Sequence, residues 1–131
     1  MATLTPKLTL ESTDATSDKL SMSVTDSLTV GVPSVGLSTL NATATGANHI
    51  IVPAGTAVAY LFVRHTGTTD GTTATAQLVD LENTDNEAFA RLGAGEWLFM
   101  PFNHGGASVG VQLQVAHASE VQCEYAFWTK A

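Results

Sequence analysis

A single cysteine, five basic side chains and the lack of any apolar run long enough to span a bilayer are the first limits set by this 131-residue sequence. One cysteine, Cys123, permits no internal disulfide. It alternates with apolar residues and has no cationic neighbour to stabilise a thiolate, so a buried small hydrophobe is expected rather than a nucleophile. Lys7, Lys19, Arg64, Arg91 and Lys130 are scattered along a chain whose formal net charge is −7. Phosphate binding needs clustered cations, which argues against a nucleic-acid partner and against an anionic membrane surface. No apolar run approaches the ~18 residues of a spanning helix. The opening MATLTPKLTLEST has no apolar h-region, so no signal peptide is expected.

Charge of either sign is scarce: charged residues make up 13%, against about 25% in an ordinary soluble chain. Thr, Ser, Gly and Ala take their place. Short hydroxyl side chains suit pleated, packable surfaces and make poor exposed helices. The length suits one domain, with a core large enough to need neither metal nor disulfide.

Residues 1–45 contain no aromatic side chain. They hold an internal echo: Lys7-Leu8-Thr9-Leu10 leads to Thr13-Asp14, Lys19-Leu20-Ser21-Met22 leads to Thr25-Asp26, and Ser27-Leu28-Thr29-Val30 opens a third copy. The pattern reads as successive short strands separated by turns. Leu8, Leu10, Leu20, Met22, Val24, Leu28 and Val30 form an apolar stripe opposite Ser and Thr, and they are the candidate partner-binding residues. Without aromatic anchors such an arm gains little by folding alone. It is expected to add strands to a sheet, its own or a neighbour's.

Residues 46–131 read as strand after strand. Residues 57–65 (AVAYLFVRH) are apolar on both faces, as in a central strand. Asp70-Gly71 is a hairpin signal, with residues 73–82 as the returning partner and a bulge where the alternation changes phase between Leu78 and Val79. Residues 87–92 fit either a short strand or one helical turn, since Thr84 and Glu87 have capping-box spacing. Pro101 ends the aromatic strand EWLFMPF at an edge or terminus. Residues 109–115 and 121–129 alternate cleanly. Strands at this spacing with Gly-rich turns predict an all-β, antiparallel β-sandwich or jelly-roll-like body, carrying an extended N-terminal strand arm. The expected core is Val58, Tyr60, Phe62, Leu78, Trp97, Phe99, Val111, Leu113, Tyr125 and Phe127.

Chemistry-bearing patterns are weak. His49, His65, His104 and His117 show no metal-ligand spacing. Gly106-Ala107-Ser108-Val109-Gly110 spells G-x-S-x-G, but it runs from a turn into a strand, where a nucleophile elbow must open a helix. Gly93-Ala94-Gly95 precedes a strand and lacks the rest of a dinucleotide fingerprint. Asp80, Glu82, Asp85 and Glu87 could offer oxygens to Ca²⁺ without matching an EF-hand, so an acidic turn is the plainer reading. Trp97 with Phe99, or Trp128, could stack a sugar; a place in a core or an interface is commoner. No catalytic residue, metal or cofactor is expected.

Four segments carry a family resemblance: KLTL…TD…KLSMSVTDSLTV from Lys7 to Val30, YLFVRHTGTTD from Tyr60 to Asp70, GAGEWLFMP from Gly93 to Pro101, and EYAFWTKA from Glu124 to Ala131. Together they resemble small virion structural proteins of tailed bacteriophages, especially those of aquatic hosts such as cyanophages. The resemblance implies a β-rich protein without enzymatic activity, located in the virion after assembly in the host cytoplasm. It implies capsid or other virion subunits as partners, a homo-oligomer, and a role as capsid decoration or cement protein. A tail, neck or fibre component fits the same segments, and a carbohydrate-binding module is the reading from another class.

Overall fold

The computed structural model describes residues 2–31, 37–43, 48–56, 58–102, 109–115, 117 and 119–129. They form β1 (Ala2–Leu4), β2 (Lys7–Ser12), β3 (Leu20–Thr25), β4 (Leu28–Val30), β5 (Ser38–Ala42), β6 (His49–Val52), β7 (Val58–His65), β8 (Val79–Asn83), β9 (Ala88–Leu92), β10 (Trp97–Pro101), β11 (Val111–Val115) and β12 (Val121–Thr129), with no helix among the described residues.

Eight of these strands build a sandwich. One sheet has the order β10-β7-β12-β5 and the other β6-β11-β8-β9, all pairs antiparallel. That interleaving, in which almost every connection crosses between sheets, is the strand order of a jelly roll. Among the described strands, the one in-sheet hairpin of the body joins β8 to β9 through Asn83, whose Oδ1 accepts from the N–H groups of Asp85 (3.0 Å) and Glu87 (2.9 Å). Residues 88–92 are therefore a strand, and Pro101 sits on the edge strand β10, where a missing N–H costs no ladder bond.

The core lies between the sheets. Leu61 and Val63 from one sheet meet Val79, Leu81, Val111, Leu113 and Val115 from the other, and all are fully buried. Here the expected core needs correction. Tyr60, Phe62 and Phe99 are only half-buried, while Leu78 is 40% and Trp97 55% exposed. Residues 60, 62 and 64 share one face of β7, and Arg64 must face solvent, so Tyr60 and Phe62 go outward with it. Val58 still points inward because the β7–β12 register slips by one residue between Tyr60 and Val58, a bulge that reverses the alternation.

The Asp70-Gly71 signal also needs correction. A local turn forms there, with Thr69 N donating to Thr73 O (2.8 Å) and Gly71 at φ 93°. The chain then crosses the sandwich, so β8 belongs to the opposite sheet and the neighbours of β7 are β10 and β12. The expected bulge between Leu78 and Val79 is the start of β8.

The N-terminal echo is a single hairpin. β2 pairs with β3 and β1 with β4; Leu4 faces Leu28 and Lys7 faces Thr25, so one register runs through both pairs. Pro6 has no N–H to give, and the ladder is crossed there by Asp26 N donating to Pro6 O (3.2 Å). Residues 2–12 and 20–30 thus make one two-stranded ribbon, about 35 Å long at the usual strand rise. β5, which also lies within residues 1–45, is an edge strand of the sandwich beside β12.

Candidate functional site

The period of two puts every apolar residue of the ribbon on one face. Leu8 lies opposite Val24, Leu10 opposite Met22, Leu4 opposite Leu28 and Ala2 opposite Val30, with Leu20 opposite Ser12. The other face carries Thr3, Lys7, Thr9 and Glu11 against Thr29, Thr25, Ser23 and Ser21. All seven sequence-derived binding residues therefore share a face, but they differ in exposure. Val30 is 2% exposed at the root, where Gly31 N donates to Thr129 O (2.9 Å) and ties the ribbon to β12. Leu20 and Leu28 are half-buried, whereas Leu8, Leu10, Met22 and Val24 are exposed.

Opposite the ribbon root stands the outer face of the β10-β7-β12-β5 sheet. Pairing arranges it as three rows: Trp97–Arg64–Glu124, Phe99–Phe62–Ala126 and Pro101–Tyr60–Trp128. Tyr60 and Phe99 stack at 6.1 Å with planes 7° apart, and Trp128 tilts against Phe99 at 6.2 Å. Arg64 reaches Glu124 at 3.6 Å. An open cleft of about 600 Å³ separates this face from the ribbon; Leu4, Pro6, Leu8 and Val24 form one wall, Phe62, Trp97 and Phe99 the other, with Lys7 and Asp26 also on the ribbon side. Periodicity alone missed this aromatic wall, because β7 is apolar on both faces. The parity of Arg64 with Phe62 was the available signal.

Cys123, His65 and His49 lie away from this cleft. Cys123 is fully buried, and burial pushes its thiol up to about 12, far from a thiolate at neutral pH. His65 is fully buried: Gly67 N–H donates to Nδ1 (2.9 Å) and Nε2–H donates to the Gln77 carbonyl (2.8 Å). His49 Nε2 meets Thr43 N at 3.0 Å, and His117 is exposed. His104, Ser108 and the turn at residues 103–107 lie outside the described residues. Gly110 closes a tight backbone approach, since a Cβ there would fall 2.2 Å from the Val52 carbonyl oxygen.

The acidic turn disperses its carboxylates. Asp80 pairs with Arg91, Glu82 accepts from Gln112 Nε2 (3.2 Å) and Glu87 accepts from Asn83 Nδ2 (2.8 Å). Among the described residues no three His, Cys, Asp or Glu side chains converge on a common point.

No protein-family model, curated protein or solved structure matches the chain.

Proposed function

We propose that the protein is a non-enzymatic virion structural protein, a capsid decoration or cement subunit that holds neighbouring shell proteins. The observation that carries this reading is the ribbon. A two-stranded hairpin is marginal by itself in water, and this one displays Leu8, Leu10, Met22 and Val24 at 39–53% exposure on one face, with Lys7 and Glu11 on the other. Such a face gains most when another protein covers it. The jelly roll adds support at the level of fold alone, since viral capsid and lectin domains both use it.

Mass-labelled protein located on particle images tests the reading. A regular array over the head is expected; label confined to tail, neck or fibre moves the protein to that part of the virion, and its absence from particles overturns the proposal. Replacing the ribbon tip pair, Leu10→Asp with Met22→Asp, is expected to abolish attachment while the sandwich keeps its circular-dichroism spectrum.

One observation favours a second reading, a carbohydrate-binding module. Trp97 exposes over half of its surface in a shallow depression with Phe62, Arg64 and Gly95, and exposed rings stack on sugars. A glycan-array signal lost in Trp97→Ser is the outcome that reading requires.

A further inference from the structure

We propose that the groove between the two edge strands β9 and β10 receives an arginine-bearing extended segment of a partner protein, laid beside β9. The inference goes beyond the assembly reading and does not depend on it, since this groove shares no lining residue with the ribbon cleft.

The sandwich is open along this side. β9 and β10 are outer strands of opposite sheets, and Phe89 of β9 meets Phe102, just after β10, with ring centroids 5.5 Å apart. Met100 and Phe102 pack against the core and also line a groove of about 490 Å³. Phe89, in the same groove, is 39% exposed. The apolar interior therefore reaches solvent between the two sheets, where neither sheet covers it.

Charge selects the occupant. Asp85 and Glu87 line the same groove. Among the described residues the ion pairs are Arg64 with Glu124 and Arg91 with Asp80, so neither groove carboxylate meets a cation. Asn83 fixes the turn that carries them. Its Oδ1 accepts from the N–H groups of Asp85 and Glu87, and its Nδ2 donates to Glu87 Oε2 (2.8 Å). Two carboxylates on a fixed turn beside an aromatic pair suit a side chain that is apolar along its stem and cationic at its tip. Arginine fits best, because its planar guanidinium stacks on a ring and forks onto a carboxylate. A chain at −7 also draws basic partners and repels acidic ones.

The free edge selects an extended backbone. β9 has a neighbouring strand on one side only, among the described residues. β10, across the groove, ends in Pro101, which cannot donate to a ladder. β9 contains no proline, and Arg91, its one charged residue, is engaged by Asp80 of β8. An edge left open in this way accepts an added strand, with main-chain bonds for affinity and the adjoining groove for side-chain choice.

An NMR titration of the full-length chain tests both parts of the assignment. The probe is a capped heptapeptide of alternating valine and arginine, added at low salt, where exposed charges are least screened. Saturable amide shifts are expected over residues 85–92 and at Phe102. Asp85→Asn with Glu87→Gln leaves Asn83 its acceptor and is expected to weaken binding about tenfold, as is citrulline in place of arginine, while Phe89→Ser weakens it about threefold. Asp14→Asn with Asp18→Asn removes as much charge from the ribbon turn and is expected to leave the affinity within about twofold. Shifts that do not saturate by ~5 mM, shifts centred outside residues 85–102, or equal losses from the two neutralised pairs would each overturn the proposal. A capped single arginine that binds as tightly as the heptapeptide would overturn it too, by assigning the groove to a free cation.

Discussion

Gly67 donates its backbone N–H to Nδ1 of the fully buried His65 across 2.9 Å. This bond decides the tautomer: Nδ1 accepts, so Nε2 carries the proton that reaches the Gln77 carbonyl. One side chain thereby pins both ends of the long excursion between the two sheets.

His65→Leu keeps the volume apolar but strands the Gly67 N–H and the Gln77 carbonyl. Leaving a buried polar group unpaired costs about 1–3 kcal/mol; both of these groups are part-buried and keep some access to water, so a loss toward the lower end, roughly 2–4 kcal/mol for the pair, is expected in urea unfolding. An unchanged midpoint would show that the excursion closes without the imidazole.

Leu61 and Trp97 should respond in opposite ways to their expected burial from hydrophobicity alone. Leu61 is fully buried and Trp97 is mostly exposed. Leu61→Ala is expected to cost about 2–5 kcal/mol. Trp97→Ser is expected to cost less than about 1 kcal/mol, as surface substitutions do. Thermal melts of both variants would rank them.

Cys123 is expected to be inert to aromatic disulfide reagents at pH 8 in the folded protein. Its thiol is pushed up to about 12 by burial, so the thiolate is a trace species there, and the sulfur has no exposed surface. Stoichiometric reaction should appear only with unfolding, and a rapid native-state reaction would contradict the burial.

Asp70 is expected to contribute to acid sensitivity. Backbone N–H groups of Thr73 and Thr72, and then their hydroxyls, hold its carboxyl far below the ordinary carboxylate value. A depressed folded-state pKa gives stability that is complete above the unfolded value, near 4, and is lost as pH falls below it. Asp70→Asn should therefore flatten part of the decline in urea midpoint between about pH 4 and about pH 2. Identical acid profiles for parent and variant would remove the loop from the account.

Much of the fold was legible in local pattern. Val111, Leu113 and Val115, and likewise Val121 and Cys123, alternate with polar residues, and a half-buried strand allows only one orientation for such a sequence. The apolar stripe from Leu8 to Val30 was legible for the same reason. What alternation could not carry was partnership. The two Lys-Leu echoes read equally well as successive strands of a sheet or as the two sides of one hairpin, and the continuous register from Ala2–Val30 to Ser12–Leu20 decides it.

The sequence by itself determined the all-β class and the faces of the clearly amphipathic strands, because period-two burial is written residue by residue. Only the tertiary structure decided that β8 crosses to the opposite sheet, that a bulge in β7 keeps Val58 inside while Tyr60 and Phe62 face outward, and that the aromatic wall confronts the ribbon across an open cleft. Those outcomes depend on which distant strands pair. Pairing is set by the summed burial of both sheets, which no single stretch of chain contains.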